Sequence, residues 1–204
     1  AVDGICSVLG RLTQSMLIED YIPSIPLSPR LLQDRAAEHA AIPVHKLVND
    51  LRVIVTATES GFKVGAMRSF VAHEVERDVE KLVGAPVRLT VLEDLVQMPL
   101  HLFLPHCLKD GLPLSEHDQA ALVDTITERS LGIAQELYRT GKLFDCLSVD
   151  FIISSRLDDR RIPEVFFIEC AAHFAGEETW NTAAEFGSYR REHFLRACAR
   201  AKEY

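Results

Sequence analysis

The sequence lacks an apolar run long enough to cross a bilayer, and it lacks the basic excess that a nucleic-acid surface requires. Lysine and arginine together number 22, against 30 aspartate and glutamate residues, which gives a net charge of −8. A chain of this charge has no stripe of cations to neutralise a phosphate backbone. We therefore expect neither a membrane protein nor a nucleic-acid binder.

Cysteine is also sparse, and the five cysteines do not form a disulfide framework. Small secreted domains carry an even number of closely spaced cysteines, whereas here the number is odd and the residues are scattered over the whole length. We expect reduced thiols and a cytoplasmic location.

The composition is that of a globular protein. The chain has 204 residues, of which 48% are hydrophobic and 25% charged, enough for one substantial core and a small second lobe. The order of apolar runs predicts an α/β (α+β) fold in which a mostly antiparallel sheet is flanked by helices.

The most informative stretch covers residues 132–176. It reads as a helix, a glycine turn, a strand VDFII, a polar loop SSRLDDRRIP and a second strand EVFFIE. Each strand carries one acid among apolar residues, Asp150 on the first and Glu169 on the second. Buried acids need a cation or a donor, and a divalent ion that also holds substrate phosphates is one solution. Alternatively, Asp150 ends a strand and Glu169 pairs with an arginine of the loop.

A second hairpin lies upstream, where the strands LRVIVTA and KVGAMRSF flank a turn of sequence ESG. Alternation along the first strand places Arg52 on the face of Ile54 and Thr56, with the intervening valines opposite. Arg68 lies on the second strand. A guanidinium can grip a phosphate or carboxylate with two hydrogen bonds, so both arginines are candidate site residues.

Other elements follow from local signals. Helices are predicted over 31–41, over 73–82 and from the Ser115 cap to Gly141, and a last helix over 189–204, after a loop at 176–188. Between 84 and 113 we expect a strand and then a short helix or extended arm. Its apolar side chains would bury against another copy of the chain: Met98, Leu100, Leu102, Phe103 and Leu104.

These parts, in this order, resemble the C-terminal lobe of the ATP-grasp superfamily. The resemblance covers about residues 5–180 and divides the chain into 1–25, the end of a middle lobe with a hinge strand, and 26–204, the C-terminal lobe. It implies an ATP-dependent ligase that activates a carboxylate as an acyl phosphate and joins it to an amine. The nucleotide-binding N-terminal half, with a glycine-rich loop and two lysines, would be a further part of that enzyme.

The resemblance also implies roles for individual residues. Asp150 and Glu169 would bind magnesium, Arg52 and Arg68 would hold phosphate and the acyl phosphate, and ATP would meet its adenine contacts at the hinge strand, Glu19, Asp20, Tyr21 and Ile22. The family has an asparagine ligand two residues after the glutamate, where this chain has Ala171. A second metal would therefore borrow a ligand from Asn181, Glu177 or Glu178.

Two other interpretations remain open. Because Ala171 offers no ligand atom, the lobe is alternatively a degenerate one, kept as a non-catalytic binding or assembly module. A third interpretation is an unrelated α/β domain, which predicts that Asp150 and Glu169 do not converge on one cleft.

Overall fold

The computed structural model describes residues 22–32, 42–43, 46–79, 87–142, 144–172, 180 and 182–201. Within them, five strands form one antiparallel sheet of order β3-β2-β1-β6-β7. Its strands are β1 (Leu47–Thr58), β2 (Gly61–Val79), β3 (Val87–Pro99), β6 (Cys146–Leu157) and β7 (Pro163–Ala171). A small hairpin, β4 (Leu108–Lys109) and β5 (Leu112–Pro113), stands apart. The mixed α/β fold with a largely antiparallel sheet, predicted from the sequence, is confirmed.

Three described helices accompany the sheet: α1 (Leu100–Phe103), α2 (Glu116–Arg139) and α3 (Ala183–Ala201). Helix α2 lies across one face, which we call the helix-covered face. Helix α3 lies over part of the opposite face, which we call the open face. Neither of the two long helices, nor any other helix in the described ranges, has both the length and the apolarity needed to cross a membrane.

The long helix α2 has the start and end that the sequence predicts. The Asp118 backbone N–H donates to Ser115 Oγ at 3.1 Å, the capping bond expected at the first turn. Asp118 also accepts a hydrogen bond from Lys109, which holds the pKa of its carboxyl below the usual value. The chain leaves the helix through Gly141 at φ +84°, a conformation that glycine adopts without strain.

The helix-covered face carries the main hydrophobic core. Strand residues with no exposed surface pack there against the buried stripe of α2: Leu51, Val53, Val55, Val149, Phe151 and Ile153 against Leu122, Ile126 and Ala134. Ile54 belongs instead to a second, smaller cluster on the open face, with Trp180 and Tyr189. The predicted alternation along β1 is confirmed.

Three local predictions need correction. The helix predicted over 73–82 is wrong, because β2 continues through this stretch to Val79 and pairs with β3 as far as Val87. The ladder of hydrogen bonds to β3 outweighs the helical spacing of charges, which is only a weak local preference. Residues 80–82 lie outside the described part.

The apolar segment after β3 is short and helical, as predicted, but it does not form an exposed arm. Leu100, Phe103 and Leu104 are buried in the core of the chain itself, and only Leu102 is largely exposed, at 53%. The basis for an interface with another copy at this segment is therefore gone.

The loop predicted over 176–188 is wrong in its last part, since α3 begins at Ala183. Thr182 and Glu185 form a reciprocal cap, in which the Glu185 N–H donates to Thr182 Oγ1 and the Thr182 N–H donates to the Glu185 carboxylate, both at 3.1 Å. Of the helix predicted over 31–41, the described part is a single 3₁₀ turn, Pro29–Leu32, and 33–41 lies outside it.

Candidate functional site

Four charged residues form a row across the open face. Arg68 on β2 is the register partner of Arg52 on β1, Arg52 is the partner of Asp150 on β6, and Asp150 is the partner of Glu169 on β7. Directly opposed residues on antiparallel strands point to the same face. The four side chains chosen from the sequence therefore lie at neighbouring positions on one face of the sheet. The convergence of the two acids on one cleft stays a prediction.

The two central residues of the row, Arg52 and Asp150, form an ion pair with each other. Arg52 donates from Nε to Asp150 Oδ1 at 2.9 Å and from Nη2 to Oδ2 at 2.7 Å. The Asp150 side chain is only 6% exposed, against 29% for Arg52. These hydrogen bonds are the main reason that the pKa of the Arg52 guanidinium lies above its ordinary value. Both carboxylate oxygens of Asp150 thus accept a hydrogen bond from Arg52.

Arg68 faces α3 rather than the acids. Its Nη1 donates to the backbone carbonyl of Trp180 at 2.6 Å, and its Nε is buried without a hydrogen-bond partner. The Trp180 ring lies against Gly65, where an added Cβ would come within 2.8 Å of it. Arg68 therefore anchors Trp180 over the open face.

Glu169 ends the row on the edge strand β7, where it is exposed. No other described residue forms a hydrogen bond or an ion pair with its carboxylate. Ala171, two residues on, faces the same side as the partner of Ser148 and offers no ligand atom. The substitutes Asn181, Glu177 and Glu178 lie outside the described residues, as do Glu19, Asp20 and Tyr21 of the hinge strand. Ile22, the last residue of the predicted hinge strand, is described by the structure; it is half-buried and does not lie in a strand.

One acid of this face was missed by the sequence analysis. Asp50 lies two residues before Arg52 on β1, so alternation puts both on the open face. Asp50 is exposed at the surface, but the surrounding chain removes part of the water from its carboxyl, and the negative charges of Asp150 and Glu169 act in the same direction. Together, against the partial opposition of Arg52, they raise the pKa of Asp50 from 3.8 to about 6. The missed signal was the i, i+2 spacing to Arg52.

A cavity of about 400 Å³ lies beside this row. Asp50 and Arg52 contribute its charged groups, and its walls are mostly apolar: Val48, Phe70, Ala72, Ile152 and Ile168. The volume is within the range of small-molecule sites. The open face thus combines a ligand-sized cavity with fixed charges of both signs.

The donor set can be tested against a magnesium ion. Asp150 and Glu169 carry hard oxygen atoms at paired positions of neighbouring strands. Among the described residues, however, no three acids, histidines or cysteines are grouped as a complete metal site. The residues fit an ion that takes its remaining ligands from phosphate and water, as magnesium in nucleotide sites commonly does, and not one held by protein alone.

Comparison of the chain with family models, with curated proteins and with solved structures finds no match.

Proposed function

We propose that this chain is an ATP-grasp-like C-terminal lobe whose open face serves an ATP-dependent ligase, one that activates a carboxylate as an acyl phosphate and joins it to an amine. The observation that carries the proposal is the in-register row of Arg68, Arg52, Asp150 and Glu169. Register is set by the pairing of whole strands, so an accidental match of short motifs would not be expected to align all four.

In this proposal each member of the row has a role. Asp150 and Glu169 would hold magnesium, which when bound supplies positive charge against the phosphoryl oxygens. Arg52 would divide its hydrogen bonds between Asp150 and a phosphate oxygen, since a guanidinium fork binds either group. Arg68 would contribute its positive charge towards the activated carboxylate while holding Trp180 in place.

The apolar cavity beside the row would keep water away from the acyl phosphate. Exclusion of water also strengthens each charge interaction at the row. By resemblance, the strand end at residues 19–22 would contact adenine, and the nucleotide-binding half of the ligase would close over the same face.

The test is the binding of ATP with magnesium, followed by calorimetry and by thermal shift. Glu169→Ala should weaken binding by about tenfold or more, the loss of one charged contact worth at least ~1.4 kcal/mol. Glu128→Ala is the matched control, because Glu128 is exposed on α2, which packs on the other face of the sheet, and its loss removes the same charge. Equal binding by all three proteins would rule out the metal role, and with it the proposed activity.

A second candidate is the non-catalytic binding or assembly module. Two observations favour it, namely the missing ligand at Ala171 and the closure of both Asp150 oxygens by Arg52. It predicts that ATP, if bound at all, is not converted to ADP under any combination of carboxylates and amines. Release of ADP that depends on Glu169 would exclude it.

A further inference from the structure

The cavity on the open face contains a carboxylate that the row of four does not use. Arg52 donates its Nε and Nη2 hydrogen bonds to Asp150, and no other described arginine or lysine forms an ion pair with Asp50. Glu169 is likewise without a cationic partner among the described residues. Of the two charged groups that line the cavity, Arg52 is thus paired with Asp150, and Asp50 has no cation hydrogen-bonded to it in the described chain.

Apart from Asn49, whose amide is hydrogen-bonded to the backbone of Ile153, the rest of the cavity wall is hydrocarbon. Val48, Phe70, Ala72, Ile152 and Ile168 come from four different strands and enclose the space next to Asp50. Such walls gain little from a sugar or a free phosphate, and they favour a ligand with an apolar body. A carboxylate ligand is also disfavoured, because Asp50 and Glu169 would repel it.

We propose that this cavity binds a small protonated amine with an apolar body, and that the Asp50 carboxylate is the counter-ion of its ammonium group. The identification of this amine as the acceptor of the joining reaction rests on the proposed function. The binding itself does not.

The position of Asp50 supports this assignment. Two residues along a strand correspond to about 6.6 Å, so the ammonium group would lie one side-chain spacing from Arg52, the group proposed to hold phosphate. The raised pKa of Asp50 agrees with this assignment. A carboxyl that is costly to ionise alone becomes easier to ionise when a cation is bound beside it. An amine bound to Asp50 would therefore lie next to the activated carboxylate, and no further residue would be needed to position it.

The experiment compares three probes of equal size, n-hexylamine, n-hexanol and n-hexanoate, by two-dimensional NMR titration of the full chain near neutral pH. Hexylamine is protonated under these conditions. It should bind with a dissociation constant on the order of 1 mM and shift the amides of β1 and β2 around Asp50 and Phe70. Hexanol should bind about tenfold more weakly and hexanoate not at all. Equal shifts with hexylamine and hexanol would overturn the proposal.

Two variants and one control locate the site. Asp50→Asn keeps the shape and removes the charge, so it should weaken hexylamine by about tenfold and leave hexanol unchanged. Ala72→Leu fills the cavity and should abolish both. Asp124→Asn is the matched control, because Asp124 is exposed on α2 and loses the same charge. If Asp50→Asn binds hexylamine as the wild type does, the proposal is overturned, whether or not Ala72→Leu folds.

The outcome separates this inference from the ligase. Hexylamine binding that depends on Asp50, in a chain that does not bind ATP with magnesium, would keep the amine site and remove the ligase. ATP binding that depends on Glu169, in a chain that does not bind hexylamine, would remove only the amine site.

Discussion

The two faces of the sheet use the same strands for different purposes. On the helix-covered face, β1 and β6 present Leu51, Val53, Val149 and Phe151, all without exposed surface and all in one hydrophobic cluster. On the open face the alternate residues of the same two strands include Asp50, Arg52 and Asp150. Each strand therefore contributes to stability with one set of side chains and to a candidate site with the other.

This difference shows which face of such a sheet can hold charged side chains. A charge on the helix-covered face would be surrounded by hydrocarbon, whereas on the open face each charge has a partner, a cavity or solvent beside it. The described apolar residues of the open face include the cavity wall, the small cluster around Trp180 and Phe166 on β7. The following variants test this contrast, from the largest expected effect to the smallest.

Phe151→Ala should give the largest effect. Phe151 lies in the main core with no exposed surface, so its removal leaves a cavity and should lower the free energy of unfolding by about 4 kcal/mol. Phe166 on β7 is the matched control, since its register partner Ile152 lines the open-face cavity and it is half-buried. Phe166→Ala should cost about 1 kcal/mol. Denaturant unfolding measures both, and equal losses would contradict the division of roles between the faces.

Arg52→Ala should be next. It leaves the Asp150 carboxylate buried without its cation, which should cost about 3 kcal/mol, at the low end for buried pairs because Arg52 is partly exposed. The double variant Arg52→Ala with Asp150→Ala should recover much of that loss. If the double variant is as unstable as the sum of the two single variants, the pair is not coupled and the geometry of the row is wrong.

Gly65→Ala should displace Trp180. The added Cβ would come within 2.8 and 2.9 Å of two ring atoms, so the ring must move, at a cost of about 2 kcal/mol. Trp180 is the only tryptophan of the chain, and its fluorescence should shift to the red as the ring becomes exposed. Gly187→Ala on α3 is the control, because nothing lies within 4 Å of an added Cβ there. An unchanged emission spectrum for Gly65→Ala would place Trp180 elsewhere.

Asp50→Asn should stabilise the protein by a small amount that depends on pH. The pKa of Asp50 is 3.8 in the unfolded chain and about 6 in the folded one, so folding favours the protonated form. The protonated carboxyl therefore adds to the free energy of unfolding at low pH, and this stabilisation is lost as the pH rises from about 4 through 6. Asparagine stays neutral, so the variant should gain about 1 kcal/mol above pH 6, less than the full shift implies because the carboxyl faces solvent. Thermal unfolding from acid to neutral pH tests this. A gain that persists below about pH 4 would contradict the assignment.

The fold could be predicted where one pattern extends over a whole element. Alternation in β1, the apolar run VDFII in β6, the Ser115 cap and the Gly141 stop each gave a correct element, because local chemistry and packing agree there. The stretch from His73 to Val79 has charges at helical spacing, and only the distant partner β3 decides that it is a strand. The Thr182–Glu185 cap, by contrast, was a local signal that could have been used.

For the site, the sequence could indicate which residues meet but not what they bind to within the chain. Alternation placed Arg52 on the open face, and strand pairing aligned it with Asp150. The hydrogen bond of Arg68 to Trp180 joins residues 112 positions apart, so no sequence spacing reveals it. Asp50 was missed because its importance comes from the cavity around it and from two acids on other strands.

The most direct test of the open face as a nucleotide site is a crystal structure of the chain with a non-hydrolysable ATP analogue and Mn²⁺, which is located by its anomalous signal. We expect one ion about 2.0–2.2 Å from oxygens of both Asp150 and Glu169, with Arg52 donating one hydrogen bond to Asp150 and another to a phosphate oxygen. An ion and nucleotide bound elsewhere, with no contact between Arg52 and a phosphate, would contradict this expectation.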